Sequence, residues 1–228
     1  MEKRIRLAVV LLVAFTACPR GLETIPTGTW HYRLLVNGAN IGHAVVSNTL
    51  SGDLWISSMK MEMDAGYVRN TTRQVVTETR DFRPVKLEVD TSTTTDAGIT
   101  TMKTVARFTG DRVDLDTDGR KNVITINEPF ILEGNYFMNE LIKNGFKKGT
   151  VIRHRIYEPS VDIEEPVLVI IKVIGRERVE IQGERETLTH IGYAIENLKH
   201  LDVYIDDKGI TRKSVITMLN NRLEMVAE

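Results

Sequence analysis

The chain has 228 residues, with 30 Lys+Arg against 31 Asp+Glu, a formal net charge of -1 and 42% hydrophobic residues. That balance provides for a globular core and excludes a polybasic nucleic-acid binder, whose affinity depends on neutralising several phosphates. One cysteine excludes a disulfide framework, a cysteine-rich zinc site and a CxxC redox centre.

The first element is a leader. Lys3, Arg4 and Arg6 precede an apolar run from Leu7 to Ala17, 11 residues long. A bilayer-spanning helix needs about 20 apolar residues, so this run has the proportions of a secretory signal. Its end, Phe15-Thr16-Ala17-Cys18, resembles the bacterial lipobox, in which the cysteine is diacylated and becomes the mature N-terminus. The boundaries expected are a signal peptide over 1–17, a lipidated Cys18 with a tether over 18–28, and one β domain over 29–228. Cleavage removes three cations and one anion (Glu2), leaving 211 residues at a formal charge of about −3. Pro19 stands where aspartate is associated with inner-membrane retention, which favours the outer membrane, facing the periplasm.

From Trp30 onward the period is two. Trp30, Tyr32, Leu34 and Val36 alternate with His31, Arg33, Leu35 and Asn37, as in a half-buried strand. Strands are predicted over 41–50, 54–63, 67–79, 85–94, 99–108, 112–116 and 122–126. Short turns such as Ser51-Gly52-Asp53, Asp64-Ala65-Gly66 and Asp118-Gly119 separate them. Turns this short join antiparallel neighbours, because a parallel crossover needs a dozen residues or more. Residues 133–146 (EGNYFMNELIKNGF) break the period: Phe137 and Leu141, and Met138 and Ile142, lie four apart, the spacing of a helix stripe. Strands resume over 151–157, 166–174, 178–182, 186–193, 199–205, 210–218 and 222–226. The run PVLVIIKVI over 166–174 reads as central in the sheet or covered on both faces. About a dozen strands exceed a comfortable open sheet, so the fold expected is mainly β: a strongly curved antiparallel sheet or incomplete β-barrel with a short helix packed against it.

Motifs for chemistry are sparse. His31, His43, His154, His190 and His200 form no HExxH or Cys/His spacing, and no metal, cofactor or catalytic residue is assigned. Ser57 and Lys60 match SxxK by letter but fall on opposite faces of a strand. Asp114, Asp116 and Asp118 with Gly119 echo the start of a calcium loop, yet Thr125 occupies the position of its closing glutamate. The apolar residues Trp55, Met59, Met61, Met138 and Ile142 are the candidate wall of an apolar cavity, since thioethers adapt to varied partners; the same residues equally suit a filled core.

Trp30-His31-Tyr32-Arg33 with Asn37-Gly38 and Ile41-Gly42, and then Asp81-Phe82-Arg83-Pro84-Val85, are similar to the opening of DUF3108-like bacterial envelope proteins. Gly175 to Val179 and Leu201 to Asp206 look like that family's late strands, with Tyr204 where tryptophan is frequent. The resemblance implies a fold related to the lipoprotein-localisation factors, hence a non-enzymatic protein holding a lipid, lipoprotein or other apolar ligand in a half-barrel. The alternative is a structural or adaptor lipoprotein acting through protein contacts.

Overall fold

The computed structural model describes residues 24–228 apart from 133, 160–161, 196–198 and 219–220. The leader and Cys18 lie outside the described residues. Eight strands come first: β1 (Gly28–Val36), β2 (Ala39–Ser51), β3 (Leu54–Asp64), β4 (Val68–Thr79), β5 (Pro84–Thr95), β6 (Gly98–Thr109), β7 (Arg112–Thr117) and β8 (Arg120–Thr125). The helix α1 (Asn135–Lys143) follows. Six more strands complete the chain: β9 (Val151–Ile156), β10 (Val167–Ile181), β11 (Glu184–Ile195), β12 (Lys199–Ile205), β13 (Thr211–Met218) and β14 (Asn221–Ala227).

All these strands form one antiparallel sheet in the order β8-β7-β6-β5-β4-β3-β2-β1-β14-β13-β12-β11-β10-β9. Each half is a meander, and the pairing of β1 with β14 joins the two in the middle, with Tyr32 opposite Ala227 and Leu34 opposite Met225. No ladder links β8 to β9 in this order, so the sheet stays open. Its two ends nevertheless meet through side chains. Phe108 of β6, Phe130 of the connector and Tyr157 just after β9 have ring centroids 5.6 to 5.8 Å apart. They belong to an apolar cluster with Val76, Leu87, Ala106, Val113 and Leu115 of β4 to β7. A sheet of this many strands with right-handed twist cannot stay flat, and the aromatic contact is where its curl brings the ends together.

The main core lies on the concave face. Period-two alternation sends Tyr32 and Leu34 of β1, Ala44 and Val46 of β2, and Trp55, Met59 and Met61 of β3 inward. Val169, Ile171 and Val173 of β10, Ile191 and Tyr193 of β11, and Leu201 and Val203 of β12 face the same core. The helix brings Phe137, Met138 and Leu141 into it, all buried. The helix ends in a Schellman pattern: Phe146 N–H donates to the Leu141 carbonyl at 3.1 Å and Gly145 N–H to that of Ile142 at 2.9 Å. Nine residues are too few for a stable isolated helix, so packing on the sheet holds it.

Two expectations need correction. The segments 166–174 and 178–182 are one strand, β10, because a register shift between Val173 and Gly175 lets the strand bend without breaking its pairing to β11. The same strand is second from the sheet edge, not central. Its apolar run reflects a fully buried inner face (Val169, Ile171, Val173) and a half-buried outer one (Leu168, Ile170, Ile174). Ile25, just ahead of β1, is buried in the same core.

Candidate functional site

The five apolar candidates come together on the concave face. Trp55, Met59 and Met61 occupy alternate inward positions of β3, and Met138 is buried in the same core cluster. Ile142, one helical turn further along α1, is half-buried against it. Met59 sits across from Val46 and Gln74, and Met61 across from Ala44 and Thr72. Phe137 meets Tyr193 of β11 edge-on at 6.4 Å, so α1 bridges the two halves of the sheet. The wall and the helix thus form one apolar surface buried between them.

A polar knot fixes the start of the helix. Asn48 Nδ2 donates to Asn135 Oδ1 at 3.0 Å and to the Pro26 carbonyl at 2.9 Å. Ser57 Oγ donates to Asn48 Oδ1 at 2.9 Å, and Asn135 Nδ2 to Ser57 Oγ at 3.0 Å. Asn48 and Asn135 are both buried. Asn135→Ala strands their partners in a dry site, and denaturation should register a loss of about 1–3 kcal/mol. An unchanged midpoint would mean that the knot does not hold the helix.

Next to the apolar wall the inner face turns polar. Asn70, Thr72, Gln74 and Glu78 of β4 are all buried on the inward parity. Asn70 Nδ2 donates to Thr93 Oγ1 at 2.9 Å, and Thr72 Oγ1 to Asn70 Oδ1 at 3.0 Å. The sequence VRNTTRQVVTET carries polar residues on both parities, so nothing in it marks which row faces in. On the other half, Tyr32 Oη, Thr189 Oγ1 and Ser214 Oγ are buried with no hydrogen-bond partner among the described residues. Burial pushes the Tyr32 phenol well above its usual range. A hydroxyl without a partner gives no stability, so Thr189→Val and Ser214→Ala should leave the unfolding midpoint unchanged or raise stability by up to about 1 kcal/mol. A clear loss in either variant would expose a partner for that hydroxyl.

The other motifs are dispersed. Ser57 faces the knot, while Lys60 is exposed and pairs with Glu62 at 2.6 Å on the opposite face. In the β7–β8 hairpin, Asp114 binds Arg112, Asp116 Oδ1 accepts the Gly119 N–H, and Asp118 Oδ1 accepts the Lys103 N–H. His154 Nδ1 donates to the Arg155 carbonyl at 3.0 Å, and its ring lies 4.7 Å from that of Tyr136. His190 lies between Glu177 at 3.0 Å and Asp202 at 2.8 Å and stacks on Tyr204. Among the described residues no group of three or more His, Cys, Asp or Glu is placed to hold a metal ion. No helix among them is long and apolar enough to cross a membrane.

Fold and inner face define a class: an open, mainly β antiparallel half-barrel with one short helix on its concave side. The chain is similar to a solved β-barrel-like protein of the domain of unknown function DUF1849 from Brucella abortus. That match has a TM-score of 0.64 at 12% identity and covers 93% of this chain and 97% of that one. A DUF1089 family protein from Pseudomonas aeruginosa matches with a TM-score of 0.38 at 12% identity, over 84% of this chain and 91% of that one. No family model and no curated protein matches the chain. What stands of the sequence resemblance is therefore the coarser likeness, to a bacterial β-barrel-like fold and not to DUF3108-like proteins or the localisation factors in particular.

Proposed function

We propose that this is a lipid-anchored, non-enzymatic protein of the bacterial envelope that holds a lipid or other apolar ligand between its half-barrel and α1. One observation carries the reading: a helix of nine residues is what covers the Trp55, Met59 and Met61 wall of an open sheet. So short a helix stays in place only through packing, and an acyl chain offers the wall a comparable apolar surface. The methionines suit such an exchange, since unbranched thioethers repack at little cost. The three unpartnered inner hydroxyls add hydrogen-bonding capacity for the polar end of an amphiphile.

The anchor is diacylated Cys18, with the domain on the periplasmic side of the outer membrane. Two acyl chains give stable attachment, whereas one is marginal. Growth of a producing bacterium with labelled palmitate tests the anchor: the full chain takes up label and Cys18→Ala does not. Equal labelling of the variant removes this part of the reading.

An adaptor role is the second reading, and the sheet edge favours it. β8 has a neighbour on one side only, and its Val123 is 54% exposed. An edge of this kind accepts a strand from a partner.

A further inference from the structure

The convex face carries a feature that the apolar reading leaves unused. A groove of about 500 Å³ opens over β1, β2 and the end of β3, lined among others by His31, Arg33, Asn40, His43, Asp64 and Glu228. Tyr32, Leu34, Ala44 and Val46 point into the core, so His31, Arg33 and His43 point the other way. Arg33 lies directly across from His43 on β2 and from Val226 on β14. Its Nε is buried and has no hydrogen-bond partner among the described residues. Nε itself is closed off, but Arg33 is half-buried and lines the groove, and terminal guanidinium N–H groups match the two oxygens of a carboxylate or phosphate.

Two of the neighbouring carboxylates, Asp64 and Glu62, are engaged elsewhere. Asp64 accepts Arg69 Nε at 3.0 Å and Nη2 at 2.7 Å, together with the Gly66 N–H at 2.9 Å. These bonds hold its carboxyl below the usual range, so it stays charged and bound to Arg69. Glu62 is taken by Lys60 at 2.6 Å, with His43 at 3.7 Å.

We propose that this groove is a binding site for a small oxyanion, a carboxylate or phosphate monoester, held by Arg33 with His31 and His43 beside it. The volume falls in the range of small-molecule sites. Asp64 is offset by Arg69, while the exposed Glu228 adds negative charge to the groove, which disfavours a polyanion such as a nucleic acid more than a compact anion. The site stands independently of the apolar ligand, because it lies on the opposite face of the sheet.

Calorimetric titration of the full chain in dodecyl maltoside, a detergent without charge, tests it with three probes: propionate, inorganic phosphate and glycerol 3-phosphate. At least one probe should bind, and Arg33→Gln should weaken that binding about ten- to hundredfold. Arg33→Lys keeps the charge and the packed stem but loses the fork, so it should fall between the two. Arg120→Gln, on the far edge strand, should match the parent. Matching thermal unfolding of the Lys variant excludes a folding defect. Preference for glycerol 3-phosphate over phosphate assigns the source to lipid headgroups, and the reverse to free anions. Absence of binding for all three probes, or equal binding by Arg33→Gln, overturns the proposal.

Discussion

Gly42→Ala should abolish the folded state or lower its stability by at least about 3 kcal/mol. A Cβ at Gly42 would stand 1.9 Å from the Glu62 carbonyl oxygen, 2.9 Å from its carbon and 3.0 Å from Met63 Cα. All three are backbone atoms of β3, so no side-chain rotation relieves the clash. The backbone there has φ +154°, which an L side chain rarely adopts. The position follows from the β1–β2 register shift beyond Leu34, where Asn40 Oδ1 accepts the Gly42 N–H at 3.0 Å. Relief would need β2 to part from β3, and that would pull Ala44 and Val46 away from Met61 and Met59. Gly38→Ala is the control, because it also has positive φ but nothing within 4 Å of the added carbon. It should cost only about 1–2 kcal/mol. Equal denaturation midpoints for the two variants would show that β2 and β3 do not pair in this register.

Phe137→Ala should cost about 3–5 kcal/mol, as truncation of a fully buried aromatic does. Phe137 is the helix residue with no exposed surface that faces both Tyr136, at 5.6 Å, and Tyr193, at 6.4 Å. Removing the ring leaves a hole in the core that α1 shares with Trp55 and Met59. Apolar holes of this kind bind apolar molecules, and a ligand that binds the folded state stabilises it. The melting temperature of Phe137→Ala should therefore be well below that of the parent and rise on addition of dodecanoate. Met138→Leu, a swap of similar volume, should cost less than about 1.5 kcal/mol. A Phe137→Ala protein as stable as its parent would mean that α1 does not pack on the sheet.

Most of the fold was readable because each strand contrasts two faces and each turn carries its own residues. Trp30 to Val36, Ile41 to Leu50 and Leu54 to Met63 became β1, β2 and β3 with ends moved by only a few residues. The four-residue spacing of Phe137, Met138, Leu141 and Ile142 located α1 within the stretch that reads as helical. Legibility failed where that contrast is absent. β4 is polar on both parities, so its buried row of Asn70, Thr72 and Gln74 left no trace in the pattern. Asn135, the hub of the polar knot, looked like any polar residue at a helix start, because its partners Asn48 and Ser57 are far away in sequence. The bend in β10 is indistinguishable from a strand end in the sequence, since a bulge and a turn share the same glycine signal at Gly175.

The apolar candidates were legible as a group but not in their use. Alternation placed Trp55, Met59 and Met61 on one face of β3, and the structure sets Met138 and Ile142 against the same core. Whether such a surface encloses a ligand depends on how readily α1 exchanges for one. That is a difference between two packed states, and residue spacing carries no information about it. Arg33 is illegible for a similar reason: an arginine on an alternating strand looks solvated until its neighbours are known to bind other partners.

Native mass spectrometry decides whether the half-barrel holds a lipid. The protein spanning residues 19–228, secreted by a bacterium and purified without detergent, is sprayed before and after extraction with organic solvent. The expected spectrum has a mass excess of one lipid or fatty acid, lost on extraction and reduced when Met61 and Trp55 are each replaced by alanine. A spectrum at the bare polypeptide mass that stays there after incubation with dodecanoate or phospholipid would contradict it.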